Sequence, residues 1–159
     1  MRLIAFTIFL TQFLTVFSCN SSPRDELKLD EISTYKDTTV TIGAEDYKVS
    51  YVLNKLNTTV KHMSSLGEEV YKDNSVHLQI FKESESILDT TLVKQDYLRF
   101  CSKDFLGISH IQNINFEYLK DNILVFELAL CEPETDNCLF FNLLYNTESR
   151  TLDTKVLDY

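Results

Sequence analysis

Tryptophan is absent from this 159-residue chain, and glycine and proline are scarce, at three and two. Without tryptophan, ligand binding cannot be followed by the simplest intrinsic fluorescence. Gly43, Gly67 and Gly107 stand far apart, and none belongs to a phosphate-cradling loop or a nucleophile elbow. Histidine is equally thin. His62, His77 and His110 have neither helical nor cross-turn ligand spacing, so no metal site is expected. Basic side chains number 15 against 24 acidic ones, a formal net charge of −9. Nucleic acid and anionic membrane surfaces repel such a chain. Internal repeats and low-complexity segments are missing too. So is any uninterrupted apolar run of the ~18 residues that a membrane span needs.

What is present starts at the N-terminus. Met1 and Arg2 precede an apolar segment, Leu3 to Phe17, which Thr7, Thr11, Gln12 and Thr15 interrupt. A basic start, an apolar stretch and a small residue before a cut site make a secretory signal peptide over residues 1–18. Val16-Phe17-Ser18-Cys19 resembles a bacterial lipobox, in which the cysteine becomes the first mature residue and carries lipid. Phe17 is bulkier than that pattern usually shows. The alternative is an ordinary secreted chain with Cys19 free or in a disulfide. Several acyl chains, at ~0.8 kcal/mol per buried CH₂, make a durable anchor. Residues 19–37 read as the lipidated cysteine and a polar tether, unable to bury enough apolar surface to offset its ordering entropy. Asn20 stands where an aspartate would resemble an inner-membrane retention signal. Placement in the cell envelope, on the outer membrane facing the periplasm, is therefore expected.

From Cys19 the chain has 141 residues with 14 basic and 24 acidic side chains, enough for one domain, assigned to residues 38–159. From Val40 the dominant period is two, which signals strands. Tyr47, Val49, Tyr51 and Leu53 share a face, as do Val76, Leu78 and Ile80. Ile114, Phe116 and Tyr118 share another; Leu124, Phe126, Leu128 and Leu130 follow, then Leu139, Phe141, Leu143 and Tyr145. Segments 38–42, 58–63, 86–93 and 151–158 are further candidates. Glu83-Ser84-Glu85 suits a hairpin connection. Asp121 and Asn122 suit a turn, because both tolerate left-handed backbone angles. About eight short strands with hairpin links point to an antiparallel all-β barrel, with a β-sandwich as the alternative. One segment, 96–107, repeats apolar residues at helical spacing. Asp96 can cap its start and Gly107 can end it.

Cys131 ends one strand and Cys138 begins the next, both in phase with the outer side of the sheet. A cross-strand disulfide closing the 132–137 loop is expected in an oxidising envelope, worth about 2–2.5 kcal/mol by chain-entropy arithmetic. Two free thiols, or a Cys101 disulfide with either partner, are the alternatives. Six intervening residues are too many for a thioredoxin-like pair. Glu127, mid-strand between Phe126 and Leu128, is read as an outward, solvated or paired carboxylate. Its sharper reading is an acid in a partly apolar cleft. Asp37-Thr38-Thr39 and Asp89-Thr90-Thr91 resemble a short envelope O-glycosylation motif.

The lipobox cysteine, the Tyr47-x-Val49 strand, a Lys72-Asp73-Asn74 turn feeding Val76-x-Leu78-x-Ile80, a helix, and a strand pair joined across Pro133, Thr135 and Asp136 together suggest a family. Over residues 46–158 the chain resembles an uncharacterised domain-of-unknown-function family of small Gram-negative envelope lipoproteins. Cys131 and Cys138 fall outside that pattern. The resemblance implies a compact lipocalin-like β-barrel of unknown molecular function, and it carries over no catalytic residues. The function expected is a non-enzymatic, lipid-anchored binding or interaction domain, monomeric and without cofactor or metal. A small apolar ligand would be lined by Tyr47, Val49, Tyr51, Leu78, Ile80, Phe116, Tyr118, Phe126 and Phe141, unless these simply fill the core. An envelope protein is the other partner expected, through an adaptor or inhibitor surface on the 132–137 loop or the helix. A carboxylate-dependent hydrolase is the remote alternative.

Overall fold

The computed structural model describes residues 34–65 and 67–157; the expectations placed on the signal segment, Cys19 and most of the tether lie outside that range. The described chain is all-β with one short α-helix. Strands β1 (Thr34–Ile42), β2 (Glu45–Ser64), β3 (Gly67–Lys82) and β4 (Glu85–Val93) form one antiparallel meander. Strands β5 (His110–Lys120), β6 (Ile123–Cys131), β7 (Cys138–Asn146) and β8 (Thr151–Val156) form another. The strand pairings among the described residues do not close into a barrel, and two sheets are compatible with the sandwich alternative. Thr34 to Asp37, read from sequence as tether, belong to β1 and pair with Ser50 to Leu53.

The inward rows of both sheets meet in one core. Val49, Leu78 and Ile80 from the first sheet are fully buried with Phe126, Leu128, Phe141 and Leu143 from the second. Tyr51 meets Phe126 edge-on, with ring centroids 6.3 Å apart. Its hydroxyl accepts the Phe116 N–H at 3.1 Å, and the Tyr145 hydroxyl donates to the Ile87 carbonyl at 2.8 Å. Each tyrosine thus buries its ring and satisfies its polar end on the opposite sheet.

The chain passes from β4 to β5 through a 3₁₀ turn (Lys94–Tyr97), an irregular stretch and helix α1 (Lys103–Ile108). The single helix expected over 96–107 is therefore split. Asp96 does not cap a helix; its carboxylate accepts the Val93 N–H at 2.8 Å. Ser102 is the true cap, its hydroxyl accepting the Phe105 N–H at 3.1 Å, and Gly107 lies within α1. Cys101 is half-buried with its thiol on the Tyr97 carbonyl, and burial pushes that thiol's pKa up.

Two other expectations fail for local reasons. Residues 72–74 are no turn but part of β3, because β2 and β3 continue as a long ribbon beyond their neighbours. A register shift between Lys55 and Thr59 joins the two short strands expected there into β2. Tyr118 does not line the interior: it is 50 % exposed. Strand β5 carries irregularities between Ile111 and Asn113 and between Phe116 and Tyr118. Each bulge adds a residue and reverses the pleat. Ile111, Ile114, Phe116 and Leu119 consequently turn toward the core, and Tyr118 turns out.

A buried polar seam ties the sheets where the crossover leaves them. Lys94 and Asp73 form an ion pair at 3.0 Å, both almost wholly buried. The Lys94 amine also donates to the Ser109 carbonyl at 2.9 Å. Asp73 accepts the Asn74 N–H, and the Asn74 amide donates to the Ile111 carbonyl at 2.8 Å. Beside this seam His110 is held below its ordinary pKa near 6.5 chiefly by burial.

Lys94→Met leaves the Asp73 carboxylate buried without its cation, and about 3–5 kcal/mol of stability is lost in chemical denaturation. Phe126→Ala costs about 3–5 kcal/mol. Tyr118→Ala stays within about 0.5 kcal/mol of the parent; a loss as large as that of Phe126→Ala would show that β5 keeps its pleat without the second bulge.

Candidate functional site

Four hairpin connections gather the residues of the site. Two-residue links join β1 to β2, β3 to β4 and β5 to β6, and residues 147–150 join β7 to β8. Each connection contains a residue in the left-handed region: Gly43 (φ +64°), Glu83 (+53°), Asp121 (+53°) and Arg150 (+56°). For glycine this is free of steric cost; for the other three it is uncommon. The short links bring strand-end side chains together at one end of the two sheets. There they border a cleft of about 410 Å³.

Apolar side chains underlie the cleft but show it little surface. Tyr47 and Ile87 are buried, and Ile42 is half-buried against the same core. The rim is charged. Lys82 pairs with Glu45 at 2.6 Å, and the second oxygen of Glu45 accepts the Tyr47 hydroxyl at 3.1 Å. That hydrogen bond from Lys82 holds the Glu45 carboxyl below its ordinary value, and its partner raises Lys82 in turn. Across the cleft the Arg150 guanidinium pairs with Glu85 at 2.7 Å, which raises its pKa. Asn122 donates to Glu148 at 2.6 Å, and the Thr147 N–H and hydroxyl both reach the Asn122 carbonyl. The β7–β8 connection is thereby fastened both to β4 and to the β5–β6 turn.

Of the nine side chains proposed to line a ligand, only Tyr47 borders this cleft. Val49, Leu78, Ile80, Phe126 and Phe141 pack against one another with no exposed surface. Tyr51 borders a separate recess of about 50 Å³, too small for a metabolite. Phe116 is half-buried on Phe126. Lys82, Arg150, Glu45 and Glu148 were not singled out by sequence. They come from three separate hairpin connections, and only the pairing of the strands places them together. Their common sequence signal is position: each flanks or sits in a turn.

At the far end, Cys131 and Cys138 face each other in register and are joined by a disulfide, their Cα atoms 4.1 Å apart. Cys131 is buried rather than outward in solvent, as are Val125 and Ala129 in its row. The larger Leu144 and Phe140 stand opposite these two and shade the central strand. Within the loop, Asn137 returns to Glu132 through backbone and side chain. The other Glu132 oxygen lies 3.0 Å from Nδ1 of His62, which is buried on the β2–β3 ribbon. Glu127 is half-buried opposite Asn142. His77 contacts Asp89 at 2.7 Å. Among the described residues no three His, Cys, Asp or Glu side chains are placed to share a metal.

Residues 20–149 match a family described as a domain of unknown function, DUF4738. No curated protein matches the chain.

Lys82→Met removes the main cause of the Glu45 shift and leaves the Tyr47 hydrogen bond, so the Glu45 carboxyl titrates closer to 4.5 in carbon-detected NMR. Because the folded value is depressed, this carboxylate's contribution to stability is present above about 4.5 and lost as pH falls through the folded value. The pH slope of stability in that acid window is shallower in the variant. An unchanged Glu45 titration would mean that Lys82 is not its partner in solution.

Proposed function

We propose that this chain, which belongs to the DUF4738 family of unknown function, is a non-enzymatic, lipid-anchored binding module of the cell envelope that holds a small ligand in the turn-end cleft. The observation that carries the reading is the cleft itself: a recess of about 410 Å³ lined chiefly by polar strand-end and turn groups, among them Lys82, Asn122, Thr147 and Arg150. Pockets that bind small molecules usually measure about 300–1,000 Å³. The packed interior favours this mouth over a lumen lined by the nine side chains named from sequence. It also favours a finer description of the fold as a sandwich with an open end rather than a lipocalin-like barrel. The lipobox-like Val16-Phe17-Ser18-Cys19 supports the anchor, and Asn20 supports the outer membrane facing the periplasm.

A second reading has its own observation. The 132–137 loop is cross-linked at its base, bonded within itself and braced by His62. Such preorganisation suits docking to an envelope protein, because little ordering entropy remains to be lost.

The test is native mass spectrometry of the chain carrying Cys19→Ser, expressed in its own host and purified without detergent. A discrete small-molecule adduct, lost on denaturation and lost in Lys82→Met or Arg150→Gln, is the expected result. A bare monomer in every preparation removes a tightly held ligand. Cross-linking from the 132–137 loop to one envelope protein would then establish the second reading.

A further inference from the structure

Resting on the cleft as the binding site, we infer that its ligand is an uncharged, hydroxyl-rich molecule of the saccharide class. The side chains around the recess are chiefly polar: Glu45, Lys82, Asn122, Thr147, Glu148 and Arg150. Their charges are largely matched within the protein. Lys82 holds Glu45 at 2.6 Å, and Arg150 holds Glu85 at 2.7 Å. Glu148 is the remaining carboxylate, and it accepts the Asn122 amide at 2.6 Å. Two cations against three carboxylates leave a single negative charge. What stays open is hydrogen-bonding capacity of both kinds. Lys82 gives one of three N–H groups to Glu45, and Arg150 bonds Glu85 through Nη1, so both keep donors. Glu148 accepts through Oε1, which leaves Oε2. The Thr147 hydroxyl donates to the Asn122 carbonyl and keeps its lone pairs.

That pairing selects the ligand class. An acid meets three carboxylates against two cations, in a chain of net charge −9, and is repelled. A cation finds both Glu45 oxygens engaged, one by Lys82 and one by the Tyr47 hydroxyl. It also meets Lys82 and Arg150, which their own pairings keep protonated. A neutral molecule disturbs neither pair. It must answer donors and acceptors together, and a hydroxyl does so with one O–H and two lone pairs. Hydrogen bonds to ionised groups are stronger than those between neutral ones, so the paired side chains are good partners for it. The open groups stand on different hairpin connections, Lys82 at β3–β4 and Thr147, Glu148 and Arg150 at β7–β8. A lone hydroxyl reaches one of these at a time, whereas a ring carrying several reaches both. Tyr47 and Ile87 are buried, so an aliphatic or aromatic ligand gains little transfer free energy here.

The experiment is an amide NMR titration of the same Cys19→Ser chain with D-glucose, D-galactose and D-mannose. The uronate and the 2-amino sugar of each hexose follow, which keep the ring and add one charge of either sign. At least one hexose is expected to shift the amides of Lys82, Thr147 and Arg150 saturably. Its uronate is expected to bind at least tenfold more weakly, and its amino sugar no more tightly than the hexose. Lys82→Met is expected to weaken the hexose at least fivefold. That weakening must appear with the far-end amides of Cys131 and Cys138 unmoved, which separates lost contact from lost fold. A uronate or amino sugar that binds more tightly than its hexose at the same amides overturns the neutral ligand and leaves the cleft standing. Silence from all three hexoses overturns the saccharide. The cleft still stands in that event if the native adduct shifts those amides. An adduct that shifts amides elsewhere overturns the cleft and the saccharide together.

Discussion

The buried pair of Lys94 and Asp73 is the contact on which the two-sheet arrangement rests. Strands β4 and β5 follow each other in the chain but do not pair, so no backbone ladder joins the sheets at the crossover. Lys94 takes its place. From the start of the crossover its amine reaches Asp73 on β3 and the Ser109 carbonyl at the end of α1. Asn74, next to Asp73, completes the link to β5 through the Ile111 carbonyl. A charge so deep is tolerable only with its partner and its hydrogen bonds in place. That demand fixes where β3 stands against β5. The long inward rows of Val76, Leu78 and Ile80 then meet Phe126 and Phe141 in one core.

The strands were legible because period two is a property of each segment alone. Ile123–Cys131 and Cys138–Asn146 coincide with the segments read from alternation. Alternation failed where a bulge shifts the phase, as at Tyr118, since an extra residue leaves no mark in composition. It failed again at Asp73 and Asn74. Their residue types suggest a turn, but tertiary partners hold them in a strand. The helix was misjudged for a related reason: the spacing of Tyr97, Leu98 and Cys101 is helical, yet Tyr97 and Phe100 break the run to pack on Phe141. The cleft was not legible at all. Glu45, Lys82 and Arg150 are ordinary charged residues at strand ends, and their meeting is a fact of topology.

The two ends of the domain divide its chemistry. One end has short connections, left-handed backbone and exposed charge around an open cleft. The other has a disulfide, a bonded loop and a histidine–glutamate contact that clasps the β2–β3 ribbon. The packed core between them keeps the turn end rigid, which is what a site assembled from separate hairpins needs.

The direction of the first strand gives the molecule a head and a foot. Strand β1 starts at Thr34, opposite Leu53, and runs nine residues to Ile42 beside the cleft. At about 3.3 Å per residue its start lies roughly 25–30 Å from the cleft mouth. The cleft therefore opens at the end of the domain opposite the one where β1 begins, so a solute can reach its mouth without passing the first described residue.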